Sequence, residues 1–353
     1  MPWQVLSSED RSGFSVLELF AGCGGMALGF HNAGLDTKTL IEMDADCVCS
    51  LKYNLSKTSC SVIESDVSKL DYSPYRGSID VVAGGFPCQA FSYAGQTLGF
   101  ADTRGTLFFE FARCVDQVQP KLAVAENVRG LVTHDKGRTF ETMISKLDDM
   151  GYETHWKILK AQRLGVPQRR ERVFIIAARK GENLNVSFPV ESDTEMTLRE
   201  ALDNCPLSPG QSYPESKAKF LKLVPPGGCW TDLPEELQKE YMAGSYESGG
   251  GRTGFARRLK WDEPCLTVMC SPAQKQTDRC HPDETRPLTF RECARIQTFP
   301  DAWEFCGSLA SKYKQIGNAV PVNMAYHVGR AVIETLRGTK TSTVSADERL
   351  WAV

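Results

Sequence analysis

No run in this sequence is long and apolar enough to cross a bilayer, and its first ten residues, MPWQVLSSED, hold no apolar stretch behind basic ones. A membrane span and a secretory leader are therefore not expected, and the chain reads as cytoplasmic. Histidine is scarce: the five present share no catalytic grouping. The only cluster that suggests a metal, Cys265, Cys270, Cys280 and His281, fits no standard zinc spacing, so no metal is expected. An excess of one charge is also lacking. A net charge of −3 gives no global attraction for a polyanion, although a nucleic-acid cleft needs only a local positive field. A disulfide framework is missing too. The thirteen cysteines are odd in number and scattered, which predicts free thiols in a reducing compartment. The chain shows no internal repeat.

What is present suits a folded enzyme. The 353 residues are 41% hydrophobic and 24% charged, enough for one large domain with a smaller companion. From residue 14 to about 180, short apolar runs alternate with amphipathic ones. Ser15–Phe20 reads as a buried strand, Gly24–Asn32 as a helix closed by Gly34, Thr39–Met43 as a strand and Asp44–Leu55 as a helix. Asp80–Ala83 is a strand running into Gly84-Gly85. Thr106–Val118 is a helix stopped at Pro120, Lys121–Ala125 a strand and Arg138–Met150 a helix. His155–Leu159 and Val173–Ala178 close the series. This alternation predicts an α/β fold, a parallel sheet covered on both faces. Residues 181–256 are rich in Pro, Gly, Ser and Glu and only weakly periodic, yet keep Trp230, Tyr241 and Phe255. Pro321–Leu336 reads as a helix begun by proline, and the tail from about Thr339 as frayed.

Four segments carry chemistry. Phe20-Ala21-Gly22-Cys23-Gly24-Gly25 follows the first strand, where glycines let a backbone approach a ligand at a helix N-terminus. Glu42 ends the second strand and suits ribose hydroxyls; Asp66, after the third short run, suits an adenine amino group. Together they describe a nucleoside pocket. The dinucleotide fingerprint is incomplete, because the third glycine falls at Gly29; a ligand-free tight turn would use the same residues. In Gly84-Gly85-Phe86-Pro87-Cys88-Gln89-Ala90-Phe91-Ser92 a cysteine sits on a Gly/Pro loop at the sheet's carboxyl edge. That place suits a nucleophile, while a lone cysteine is as often a small buried hydrophobe. Glu126 follows the apolar LAVA run, so burial should raise its pKa and let it carry a proton; a helix cap or an ion pair is the plainer role. In Gln168-Arg169-Arg170-Glu171-Arg172, alternation sends Arg170 and Arg172 to one side, suited to gripping a phosphate or carboxylate. The basic runs 163–172 and 251–261 supply local positive charge or are simply solvated faces.

The ordered blocks FAGCGG, GFPCQAFS, AENV, QRRER, RPLTFRECARIQTFPD and YKQIGNAVPVN resemble the cytosine-5 DNA methyltransferases of bacterial type II restriction–modification systems. The resemblance covers residues 14–180 and about 257–325. It implies a Rossmann-like S-adenosylmethionine-dependent methyltransferase fold: a mostly parallel, doubly wound sheet with a smaller, loop-rich target-recognition domain. The implied division is 1–183 plus 309–353 for catalysis and cofactor, 184–285 for target recognition, and 286–308 as a connecting hinge that includes the helix Leu288–Ile296.

The resemblance also implies roles. Cys88 attacks carbon 6 of a cytosine flipped out of duplex DNA, and Glu126 holds and protonates ring nitrogen 3. Arg172 contacts the base and Glu126, with Arg170 in support. The cofactor, S-adenosylmethionine, meets Phe20, Gly22, Gly25, Glu42, Asp66, Pro87, Leu107 and Asn318, with Ala21, Gly24, Met43, Val67 and Ala319 beside them. Cys23 lines the pocket without attacking. The loop Ala90–Arg104, with Gly95 and Gly99, is a mobile lid over the base. DNA meets Gln89, Ser92, Arg104, Arg252, Arg257, Arg258, Thr267 and Gln274, with Lys275 and Gln276 as further candidates, most of them phosphate or surface positions. Partners are double-stranded DNA and, functionally but without a physical complex, a cognate restriction endonuclease; the chain is expected to be a monomer. The competing readings are cytosine-5 methylation of transfer RNA, a catalytically silent cofactor- and DNA-binding protein, and a nicotinamide-dependent oxidoreductase, which the glycine spacing opposes.

Overall fold

The computed structural model describes residues 3–87, 107–247, 255–273 and 278–338. The cofactor half opens with β1 (Ser15–Leu19), α1 (Gly25–Ala33), β2 (Asp36–Glu42), α2 (Ala45–Asn54), β3 (Ser61–Glu64) and β4 (Val81–Gly84). It continues through α3 (Leu107–Val118), β5 (Leu122–Val128), α4 (Arg138–Asp149), β6 (Tyr152–Lys160), β7 (Gln168–Arg169) and β8 (Glu171–Arg179). Seven strands form one sheet in the order β3-β2-β1-β4-β5-β8-β6. β1 and β4 are buried at every position because helices cover both faces. On one face Phe108, Phe111, Val115, Phe140 and Met143 close a core over β1, β4 and β5. On the other, Phe30 of α1 meets Met324 and Val328 of the last helix.

The sheet is not wholly parallel. β8 runs antiparallel to both β5 and β6. The cause is connection length: residues 161–170, between β6 and β8, are too few for a covering helix, so the chain returns beside its predecessor. β6 reaches its place through α4 and leaves the slot that β8 fills. Gly29, too late for a phosphate-binding fingerprint, has a packing reason. A Cβ there would lie 2.4 Å from Ala325 Cβ, so it lets α1 and the last helix touch.

Beyond β8 lie α5 (Leu198–Leu202), α6 (Glu215–Leu221), α7 (Glu235–Met242) and β9 (Cys265–Leu266). Then come α8 (Phe290–Ile296), α9 (Leu309–Asn318) and α10 (Val322–Arg337). A small core of Phe220, Leu221, Trp230, Tyr241 and Met242 holds α6 and α7. A separate cluster joins Leu198, Leu259, Ile296, Tyr313 and Ile316. β7 and β9 pair in parallel and tie this half to the first.

The expectation of free thiols throughout needs correction. Cys49 of α2 and Cys306 form a disulfide across 257 positions, with Cα atoms 5.9 Å apart. Spacing could not show a pair made by the fold. The ten other described cysteines are free, and Cys88 lies outside the described residues. Among the described residues no helix is long and apolar enough to cross a membrane, and no group of three or more His, Cys, Asp or Glu could hold a metal.

Candidate active site

The carboxyl edge of the sheet gathers the sequence-predicted groups. The β1–α1 turn enters the left-handed region at Phe20 (φ 57°), Gly22 (φ 55°) and Gly24 (φ 92°). No atom lies within 4 Å of where a Gly22 Cβ would stand, so this backbone faces open space. The Gly22 amide donates to Glu42 Oε2 at 2.8 Å. Glu42 Oε1 accepts from the Met43 and Asp44 amides, each at 2.8 Å. Three backbone bonds thus fix this carboxylate at the end of β2, with lone pairs left over. Met43 is 69% exposed over the crevice. Asp66 Oδ1 accepts from the amide and hydroxyl of Ser68, which holds its pKa below the ordinary value; Val67 beside it is buried. Cys23 is buried, donates to the Gln315 carbonyl at 3.4 Å, and burial drives its pKa far up. That thiol is inert.

Glu126 stands at the end of β5, 9% exposed. Its Oε1 lies 2.9 Å from Arg172 Nε. Burial raises its pKa, opposed by the charges of Arg172 and then Arg170. On its other side, a Cβ on Gly85 would lie 3.0 Å from Glu126 Oε2. The backbone that leads to Cys88 therefore passes directly against this carboxylate. Asn127, next in the chain and buried, donates from Nδ2 to the Phe86 carbonyl at 2.8 Å. It pins the same turn from below. The AENV block was visible in the sequence, but nothing there gave Asn127 a task.

Arg170 and Arg172 both act on Glu126, yet they are differently employed. Arg172 keeps to Glu126 and its neighbour's carbonyl, Glu171 O, at 2.8 Å. Arg170 is 3% exposed and spans to Gly317 O at 3.1 Å and Ala319 O at 3.2 Å. It grips backbone, so the picture of two arginines reaching for one phosphate or carboxylate is corrected. Asn318, exposed at the end of α9, accepts from Cys270 Sγ at 2.9 Å. Leu107 opens α3, and Pro87 is exposed.

Of the DNA-facing candidates, Thr267 Oγ1 donates to Arg169 O at 2.8 Å, just beyond β9. Arg257 is half-buried. Arg258 contradicts its expected place. It is 4% exposed and gives its guanidinium to the carbonyls of Val224, Leu221, His281, Pro282 and Glu284. Four of these acceptors are buried and take up the cation within the fold. Cys88, Gln89, Ser92, Arg104, Arg252 and Gln274 lie outside the described residues, as do Ala90–Arg104, Lys275 and Gln276.

Residues 14–334 match the family model described as C-5 cytosine-specific DNA methylase. The chain is 55% identical to the type II methyltransferase M.Eco47II of Escherichia coli, over 95% of this chain and 82% of that protein. It is 48% identical to M.Sau96I of Staphylococcus aureus, over 94% of this chain and 78% of that one. A DNA modification methyltransferase structure from an E. coli prophage is similar in fold, with a TM-score of 0.68 at 24% identity, over 92% of this chain and all of that one. Spodoptera frugiperda DNMT2 is similar at a TM-score of 0.67 and 16% identity, over 92% of this chain and all of that one.

Proposed function

This chain belongs to the C-5 cytosine-specific DNA methylase family, and we propose that it methylates cytosine through a covalent adduct on Cys88, with Glu126 as the acid. The chain is an enzyme of DNA cytosine-5 methylation. Its relatives are type II methyltransferases, so its product protects cytoplasmic host DNA from a matching endonuclease. The observation that carries the residue assignment is the placing of Glu126. A carboxyl group nearly free of water, oriented by Arg172 at 2.9 Å, lies against the turn that delivers Cys88.

The residues at the strand ends fit S-adenosylmethionine. Gly22 presents open backbone, Glu42 keeps lone pairs for ribose hydroxyls, and Asp66 has one oxygen, Oδ2, with no hydrogen bond among the described residues. Phe20, Met43, Val67, Leu107 and Asn318 would line the rest. When bound, the cofactor supplies an electrophilic methyl group on a sulfonium.

The protein's part is to make carbon 5 of the ring nucleophilic. Cytosine's carbon 5 is too weak a nucleophile at neutral pH. The Cys88 thiolate adds to carbon 6 while Glu126 gives its proton to nitrogen 3, which leaves an enamine. Burial raises the Glu126 pKa and so favours the protonated form needed here; Arg172 keeps the group from becoming too weak an acid. After methylation at carbon 5, the carbon-5 proton leaves to a base, the thiolate departs from carbon 6, and nitrogen 3 returns its proton. Ring and enzyme are restored. Asn127 acts through backbone, holding the Phe86 carbonyl so that the turn ahead of Pro87 is fixed. We assign residues 184–285 to target recognition, with 286–308 connecting.

The test is covalent trapping. The protein is incubated with S-adenosylmethionine and duplex DNA containing 5-fluorocytosine, whose fluorine cannot leave as a proton. A denaturation-resistant complex mapping to Cys88 is expected, and a tenfold excess of transfer RNA should not compete. An adduct elsewhere, or turnover by Cys88→Ser, sinks the assignment.

A further inference from the structure

Two buried carboxamides have no part in this chemistry. Gln168 of β7 and Gln297, just past α8, are both 0% exposed. Gln168 Oε1 accepts from the Val268 amide at 2.9 Å, and its Nε2 donates to Gln297 Oε1 at 2.8 Å. Gln297 Nε2 then donates to the carbonyls of Ile316 at 2.6 Å and Ala319 at 3.0 Å. The two ends fix the sense of the chain. An N–H at Val268 needs an oxygen, and carbonyls at 316 and 319 need a nitrogen, so neither amide can turn over alone. A pair of aliphatic side chains would fill this space without desolvating four polar groups. Buried amides that are fully satisfied specify one arrangement.

What they arrange is the join between two segments. On one side is the loop Thr267–Cys270, which follows β9 on the target-recognition side. On the other is the turn Ile316–Ala319, which carries Asn318 into the cofactor crevice. The two are in direct contact as well: Cys270 Sγ reaches Asn318 Oδ1 at 2.9 Å. A Cβ on Gly317 would lie 2.6 Å from the Cys270 amide nitrogen, so the backbones are too close to slide independently.

We propose that Gln168 and Gln297 are positioning residues that couple the target-side loop Thr267–Cys270 to the cofactor-side turn Ile316–Ala319, so that DNA bound against the loop tightens the enzyme's hold on its cofactor. The inference rests on the cofactor assignment above. Coupling of this kind is a ratio of affinities and is reciprocal. The amides act as a rigid link between two elements that each ligand biases.

The experiment measures that ratio in the full chain. S-adenosylhomocysteine is titrated calorimetrically with and without a saturating duplex recovered from the trapping assay. Wild type should bind the probe about 5-fold or more tightly with DNA present, within the ordinary range of coupling. Gln168→Met keeps the volume and removes both bonds. Its ratio should fall to about one, with less than about 2-fold change in affinity for the free chain. Gln297→Glu keeps the acceptor toward Gln168 but loses the donor to the turn, and should do the same. A merely structural role would lower the melting temperature and both affinities together while leaving the ratio intact; that result overturns the proposal, as does a wild-type ratio of one. Should both glutamine variants fail to fold, Cys270→Ala decides. A reduced ratio supports the coupling, and an unchanged one overturns it. A free wild-type chain that does not bind the probe at all overturns the cofactor assignment itself, and the inference with it.

Discussion

Arg172 and Arg258 come from the two basic runs, 163–172 and 251–261, and the fold uses these two side chains in opposite ways. Arg172 faces a buried carboxylate, where its charge opposes the rise that burial gives the pKa of Glu126. Arg258 faces neutral oxygens, five carbonyls and the Thr285 hydroxyl, and holds the small half of the molecule together. The difference lies in what the surrounding chain can do for its own backbone. β8 satisfies its amides and carbonyls in its two ladders and leaves Arg172 to Glu126, whereas Arg170 in the same run already spans to the carbonyls of Gly317 and Ala319. The α6–α7 region has short helices and irregular loops, so a cation must satisfy the carbonyls that no ladder takes up. Basic charge on the page is thus no guide to where a polyanion binds until the local backbone has been supplied.

The sharpest way to break this comparison is at the acid. Glu126→Gln keeps the shape and can still donate to a ring nitrogen, but cannot give up a proton. Single-turnover methylation should slow by about 10²–10⁴-fold with little change in cofactor affinity. The raised pKa also sets a direction. The protonated fraction of Glu126 falls as pH rises through its folded-state pKa, so wild-type single-turnover rates corrected for Cys88 ionisation should decline in that direction and the Gln variant should lose the dependence. A variant within a few-fold of wild type at all pH values would remove Glu126 from the mechanism.

Arg258 should behave differently. Arg258→Met leaves five carbonyls without their donor, at a cost on the order of 3–5 kcal/mol. Urea unfolding should show the loss, and DNA affinity should fall through misfolding of the small half. If DNA affinity falls while stability is unchanged, and the salt dependence weakens by about one charge, Arg258 contacts phosphate after all. The neighbouring Lys217 offers a milder version. It pairs with Asp278, whose burial raises its pKa, and whose Oδ2 accepts from Tyr241 at 2.8 Å. Lys217→Met strands that carboxylate and pushes its folded pKa higher. A raised folded pKa gives stability that is present at low pH and lost as pH rises through it. The variant's melting temperature should therefore drop, relative to wild type, as pH rises above the ordinary aspartate range. A pH-independent difference would mean that Asp278 is not the stranded group.

These contrasts also mark what the sequence could tell. β1, β4, β5 and β8 were legible because burial on both faces favours largely apolar runs such as VVAG and VFIIAA. The reversal of β8 was not, since periodicity carries no strand direction. β3, with two of its four residues exposed at the sheet edge, showed only as a short run before Asp66. Glu126 stood out as a charge after the apolar run LAVA, and Arg172 through its alternation with Arg170 ahead of VFIIAA. Asn127, Gln168 and Gln297 did not: a carboxamide has no charge to flag it, and its value lies in partners 41, 100 and 19 positions away. Arg257 and Arg258 are adjacent, and only the fold decides which one turns inward.

The smallest effect should come from an arginine pair that is neither chemical nor buried. Asp10 meets Arg337 at 2.8 Å and Arg330 at 3.1 Å on the surface, and these partners hold its pKa down to about 2. A lowered folded pKa gives stability present above the ordinary aspartate value and lost as pH falls through about 2. Because the group is fully exposed, water and salt screen most of that benefit. Asp10→Asn should shift the melting temperature only slightly at neutral pH and low salt. In 1 M salt, where screening acts over roughly 3 Å, the shift should vanish. The contacts join the segment before β1 to the end of α10, so the same measurement asks whether this closure of the chain ends is electrostatic. A shift that survives high salt would show that it does not rest on screened charge, as the hydrogen bonds from Arg330 to Ser8 Oγ and the Ala33 carbonyl would allow.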